Sequence, residues 1–125
     1  MKVLTDTHSL VWALSDSAAL SSKARRVMSR SEVTASAANL WELVLKMGKR
    51  DCLLSDPLRW WEKYVLSTNI PTLSIRTAHV MALGHLPALH KDPFDRILVA
   101  QSVAEKLPLA TKDAHLANYG IATIW

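Results

Sequence analysis

One cysteine, three glycines and the lack of any long apolar run set the limits of this 125-residue chain. Cys52, being alone, cannot form an intramolecular disulfide, which suits a reducing compartment. Glycine is too scarce for a Gly-rich phosphate loop, and no Gly-x-Ser-x-Gly elbow occurs. Nucleotide binding through such a loop and serine hydrolysis therefore both lack their signature. The histidines are His8, His79, His85, His90 and His115. No two of them stand at tight metal-ligand spacing and no cysteine pair assists them, which argues against zinc. No charged-then-apolar leader precedes Asp6, and Asp16 and Lys23 break up the next apolar stretch. Nothing nears the roughly 20 apolar residues of a membrane span. A soluble, cytoplasmic protein is expected.

What the chain does have is apolar bulk and a basic excess. Half of its residues are hydrophobic, and a chain this long buries roughly two-thirds of its unfolded surface. Fifteen Lys and Arg face eleven Asp and Glu, for a net charge of +4. If four of those acids are gathered at one site, seven remain elsewhere, and the rest of the surface is basic enough to favour a polyanion such as nucleic acid. An ordinary solvated surface with a modest basic excess is the plainer alternative.

Strand and helix signals alternate along the chain, which predicts an α/β domain with a mainly parallel sheet. Val3 to Thr5, Glu32 to Ala35, Ile70 to Ile75, Leu107 to Thr111 and Ile121 to Ile124 read as strands. Ser21 or Ser22 caps a basic helix, and Ser36 caps one whose Leu40, Leu43, Val44 and Met47 recur at helical spacing, with Gly48 as its stop. Asp56-Pro57 and Asp92-Pro93 open two further helices, with proline at the favoured first position. Thr77 to Leu83 is a third, and a short helical turn surrounds Leu116.

Four carboxylates stand where these elements begin, end or are interrupted: Asp6, Glu42, Asp95 and Asp113. Acids placed after parallel strands point to one edge of a sheet, where ligands bind in open α/β folds. Each also has a plainer reading. Asp6 would cap the helix that follows it. Glu42 would pair with Lys46 four residues on, across a solvated face. Asp95 would sit at the positive end of the helix that Asp92 caps. Asp113 would begin the short turn that follows. Gathered together, such acids are tolerable only when protonated, paired with bases, or holding a hard cation. Thr111 adds a hydroxyl on the same strand face as Asp113. Two of the five tryptophans, Trp60 and Trp61, are adjacent, and neighbours cannot both face one core.

Five segments in order resemble the PIN domain, and more closely the VapC toxins of bacterial toxin–antitoxin pairs. They are Leu4-Thr5-Asp6-Thr7-His8, Ser36-Ala37-Ala38-Asn39-Leu40-Trp41-Glu42, His90-Lys91-Asp92-Pro93-Phe94-Asp95-Arg96, Thr111-Lys112-Asp113 and Ile124-Trp125. The family pattern usually has an apolar residue at Thr5, a strand position that points away from Asp6. The resemblance implies one PIN-like nuclease domain over residues 1–125. Its fold would be three-layer α/β/α, around a central, mainly parallel sheet of four or five strands. It further implies a ribonuclease whose Asp6, Glu42, Asp95 and Asp113 hold Mg²⁺ or Mn²⁺, with Thr111 auxiliary and Asp92 the less certain acid, read here as the helix cap. Such cations prefer oxygen ligands and leave room for phosphate oxygens. Hydrolysis of this kind leaves 5′-phosphate and 3′-hydroxyl ends, whereas a metal-free ribonuclease would need a base and acid pair that this chain does not supply.

A homodimer and a small cognate antitoxin protein are also implied. Trp60, Trp61 and Tyr64 are the candidates for the antitoxin groove, and Arg25, Arg26, Lys46, Lys49 and Arg50 for steering the RNA backbone. The competing reading is a non-catalytic module of the same fold that binds RNA or protein. A nuclease of DNA ends would need a duplex-gripping arch for which 125 residues leave no room. A phosphatase would need the Asp-x-Asp pair that Asp6-Thr7-His8 lacks.

Overall fold

Val3 and Leu4 are both fully buried although they are neighbours, so the first strand is covered on both faces. The computed structural model, which describes residues 1–125, places this strand, β1 (Lys2–Thr5), at the centre of a five-stranded sheet. β2 (Glu32–Ser36) lies on one side of it and β4 (Leu109–Ala110) on the other. β3 (Thr72–Leu73) and β5 (Thr123–Ile124) form the edges, giving the order β3-β2-β1-β4-β5. Every pairing is parallel.

Strand residues alternate between the two faces. Leu4 and Leu109 pack with Ala38, Leu98 and Leu116 on one side, and Val3, Ala110 and Ile124 with Leu20, Ala24 and Met28 on the other. A third cluster joins Leu10, Val11, Ala35, Leu43, Trp61 and Val65. The covering helices are α1 (Thr7–Leu14), α2 (Ser22–Ser29), α3 (Ala37–Leu45), α4 (Pro57–Trp61), α5 (Thr77–Gly84) and α6 (Pro93–Glu105), with a 3₁₀ turn over Ala114–Tyr119. None is long and apolar enough to cross a membrane. Caps stand where expected: Ser21 accepts from the Ala24 amide (3.0 Å), Ser36 from Ala38 (3.0 Å), Asp56 from Arg59 (3.2 Å) and Asp92 from Phe94 (2.8 Å).

The sheet is shorter than the apolar runs suggest, and proline explains much of the difference. Pro71 and Pro108 have no N–H to give a ladder. The third strand is therefore reduced to Thr72 and Leu73 on an edge, and the Leu107 amide turns instead to the Ser102 carbonyl (3.1 Å). α3 ends at Leu45, three residues before Gly48, which serves the following turn at φ +78°.

The helix opened by Asp56 widens after Trp61 into a π turn over Glu62–Leu66, closed by the Ser67 amide on the Glu62 carbonyl (3.0 Å). Trp61 and Val65 point into the core, whereas Trp60 and Tyr64 stack at 5.5 Å and stay half-exposed. The expectation that Trp61 lines a partner groove is therefore corrected. It is only 5% exposed and is a core residue. Replacing Trp61 with Ala should cost about 3–5 kcal/mol in urea unfolding, the range for a large buried aromatic. Trp60→Ala should cost clearly less, and equal losses would contradict this division.

Candidate functional site

In a sheet of this order the strand order reverses between β1 and β4, and ligands bind beyond the carboxyl ends of strands at such a point. Both segments leaving that boundary carry an acid. Asp6 directly follows β1, with its own amide on the Ala110 carbonyl of β4 (3.0 Å). Asp113 follows β4 and its amide donates to the Thr111 hydroxyl (3.1 Å). Beyond them opens a cleft of about 330 Å³ whose lining includes Asp6, Thr7, Glu42, Asp92, Asp95 and Asp113. All four acids singled out in the sequence meet in it. His8, Trp12, Lys46 and Lys112 complete the wall.

Each acid is held by a local device. Asp6 caps α1, accepting from the Ser9 amide (2.8 Å). Asp92 caps α6 through the amides of Phe94 (2.8 Å) and Asp95 (3.3 Å), which brings Asp95 into the first turn. Asp113 caps the 3₁₀ turn through the His115 amide (2.9 Å). Glu42 has no cap to make. It is buried at 6% exposure, accepts from the Thr7 hydroxyl (2.5 Å), and pairs with Lys46 (2.9 Å). The predicted i, i+4 pair therefore exists, but on an enclosed face. Trp41 and Phe94, the residues before Glu42 and Asp95, meet edge to face at 4.9 Å and tie α3 to α6 beside the cleft.

The concentration of charge has electrostatic consequences. Burial pushes the Asp6 carboxyl up, against hydrogen bonding from Ser9 and Thr111. Burial, then the nearby charges of Asp92 and Asp6, push Asp95 up to about 7, with His90 opposing. The Glu42 hydrogen bond holds the Lys46 ammonium above its ordinary range. Several carboxylates facing one cleft with no thiolate among them form a hard donor set. A divalent cation would offset the neighbouring negative charges that, after burial, raise Asp95, so these residues fit such an ion.

Some of the expected cations are elsewhere. Lys46 lines the cleft but is engaged by Glu42 and by Asp51 (3.3 Å). Arg25 is tied to Asp16 and to the Ser17 carbonyl, and neither it nor Arg26, Lys49 or Arg50 lines the cleft. Lys112, which sequence reasoning passed over, does. His90 was also passed over, yet its Nε2 lies 3.0 Å from Asp113 and 3.7 Å from Asp95. Pairwise histidine spacing could not find it, because its partners are acids distant in the chain. Its place two residues before the Asp92 cap was the only local signal.

The family model described as PIN domain matches residues 3–122 of this chain. No curated protein matches it. Among solved structures, the chain is similar to VapBC2 from Rickettsia felis bound to a DNA fragment from its promoter. The identity is 15% and the TM-score 0.67, over 98% of this chain and 97% of that one. FitAcB from Neisseria gonorrhoeae is similar at 16% identity and a TM-score of 0.68, over 98% and 96%. A toxin–antitoxin complex from Klebsiella pneumoniae follows at 15% identity and 0.57, over 89% and 86%. At such identities these are likenesses of fold.

The state of Asp95 can be read from stability. Its folded pKa of about 7 exceeds the ordinary carboxyl value of 3.8. The folded protein therefore holds a proton that the unfolded chain has released, and this acid lowers stability progressively as pH rises through that window. In metal-free protein at pH 8, Asp95→Asn should melt at a higher temperature than the native chain. The gap should shrink as pH falls toward 4. A gap independent of pH would show that Asp95 ionises normally.

Proposed function

Because the chain belongs to the PIN domain family, we propose that it is a metal-dependent endoribonuclease and the toxin of a toxin–antitoxin pair. The observation that carries the enzymatic half is the meeting of Asp6, Glu42, Asp95 and Asp113 in one cleft at the reversal point of the sheet. In this reading those four acids would hold Mg²⁺ or Mn²⁺, which would supply Lewis-acid chemistry at the scissile phosphate and a more acidic water. The rest is the work of the chain. Thr7 orients Glu42 through its hydroxyl, and Lys46 pairs with that carboxylate at 2.9 Å. Thr111 holds the backbone from which Asp113 projects. Lys112, exposed at the cleft wall, supplies positive charge for the RNA backbone. The products are 5′-phosphate and 3′-hydroxyl ends.

The antitoxin half rests on fold. Toxin–antitoxin complexes are among the solved structures that share it. A partner protein also suits the apolar side chains left exposed on and after α3, namely Trp41 (52%), Leu45 (50%) and Met47 (48%). Of the groove candidates, Trp60 and Tyr64 remain available to the antitoxin. A homodimer and a cytoplasmic location complete the proposal.

Total bacterial RNA serves as substrate for the test, so that no target sequence need be assumed. Native protein with Mg²⁺ should make discrete cuts bearing 5′-phosphate, mapped by sequencing the new ends. EDTA and Asp95→Asn should each abolish them. Cuts that survive both treatments would defeat the metal mechanism, and their absence in folded, antitoxin-free protein would favour a non-catalytic binding module.

RNA affinity measured against salt concentration separates the cations. Lys112→Ala should lower the slope by about 0.7, the contribution of one phosphate contact on a single strand. Arg25→Ala should leave it unchanged, since that guanidinium is committed to Asp16.

A further inference from the structure

His90, Asp95 and Asp113 each bring one ligand-type atom to within 4.8 Å of the others, which on distance alone describes a mixed histidine–carboxylate metal site. The hydrogen bonds of the imidazole say otherwise. Its Nδ1 accepts from the Asp92 amide (3.1 Å), and a ring nitrogen that accepts a hydrogen bond carries no proton. In the neutral ring the proton is then on Nε2, the atom facing Asp113 Oδ2 at 3.0 Å and Asp95 Oδ2 at 3.7 Å. A donor N–H has no lone pair to offer a cation.

The geometry points to His90 as a positioning residue that donates to Asp113 rather than as a metal ligand, an assignment that rests on the metal-site reading above. The donor holds one oxygen of Asp113 while the other accepts from the His115 amide (2.9 Å), so the carboxylate is fixed in plane and rotation. The amide that sets the tautomer belongs to Asp92, whose side chain caps α6 through Phe94 and Asp95. One backbone turn therefore starts the helix, places Asp95 and aims the imidazole at Asp113. Partners that orient metal ligands in this way typically change affinity by about 10- to 100-fold when removed.

The test uses the full chain with two replacements, His90→Gln and His90→Phe. Gln places an amide N–H near the position of Nε2, and Phe keeps the ring shape without a donor. Circular dichroism checks that both fold. In metal-free native protein, ¹⁵N imidazole shifts should report the Nε2–H tautomer for His90. With Mn²⁺ as the probe, pulsed electron paramagnetic resonance should show no directly bonded ¹⁴N. Calorimetric Mn²⁺ affinity should stay near native in His90→Gln and fall about 10- to 100-fold in His90→Phe. Directly bonded nitrogen that disappears in either variant would overturn the assignment and make His90 a ligand. Native affinity in both variants would overturn it too, leaving Asp113 positioned without His90. Failure of the native chain to bind Mn²⁺ at all would instead defeat the metal-site reading, while the ¹⁵N shifts would still report the tautomer.

Discussion

Like charge packed at one edge of a parallel sheet is the constraint from which the rest of this molecule follows. Two carboxylates 4 Å apart repel by about 4 kcal/mol at an effective dielectric near 20, and five line this cleft. The fold answers with backbone amides. Three helical segments begin at the cleft, and the first acid of each accepts from its own turn: Asp6 from Ser9, Asp92 from Phe94 and Asp95, Asp113 from His115. Helix starts carry partial positive charge, so the residues that crowd the cleft also sit where their charge is least costly. Capping and site membership, which the sequence presents as rival readings of these acids, are one arrangement.

Glu42 is held differently, because it lies mid-helix where no free amides exist. Its support is a run of buried side chains. Ser36 and Asn39 form the capping box of α3, and the Asn39 amide group reaches the Thr5 carbonyl (3.2 Å) and the Thr7 hydroxyl (3.3 Å). Thr7 then donates to Glu42. Behind them the Ser36 hydroxyl donates to Gln101 of α6 (2.6 Å), which also bonds the Ser74 carbonyl (3.3 Å). Satisfied networks of this kind specify one geometry, since each member left unpaired would cost roughly 1–3 kcal/mol. The carboxylate of α3 is thus registered against β1, β2 and α6 together.

How much of this was legible in the sequence depends on the range of each interaction. The order of strands and helices and the caps at Ser21, Ser36, Asp56 and Asp92 were readable because they depend on neighbours a few residues apart. Asp6 and Asp113 were readable for a related reason: a strand signal followed by an acid places that acid at the carboxyl edge. Glu42 was ambiguous, since its pairing with Lys46 is local but its hydrogen-bond donor, Thr7, lies 35 residues away. His90 left only its place two residues before the Asp92 cap, its partner Asp113 lying 23 residues on, and the buried pair Gln101 and His79 left no local trace. That Trp60 and Trp61 part was expected of neighbours, but which of them enters the core depends on contacts with Leu10, Leu43 and Val65 that no local pattern shows.

Lys46 decides how the charge in the cleft is shared. Its ammonium lies against Glu42 at 2.9 Å and against Asp51 at 3.3 Å, half-buried, so it compensates Glu42 directly. Glu42 also has the Thr7 hydroxyl, and little of its charge is left unanswered. Asp95 has no such cation. Its nearest basic group is His90 at 3.7 Å, whose proton is directed to Asp113. It is also Asp95 whose pKa rises to about 7, through burial and the charges of Asp92 and Asp6. The start of α6, where Asp95 lies close to Asp92 and Asp6, is therefore where the acids are least answered by a base. Glu42, already answered by Lys46, would contribute less to a bound cation, because the ammonium would compete with it for the same carboxylate.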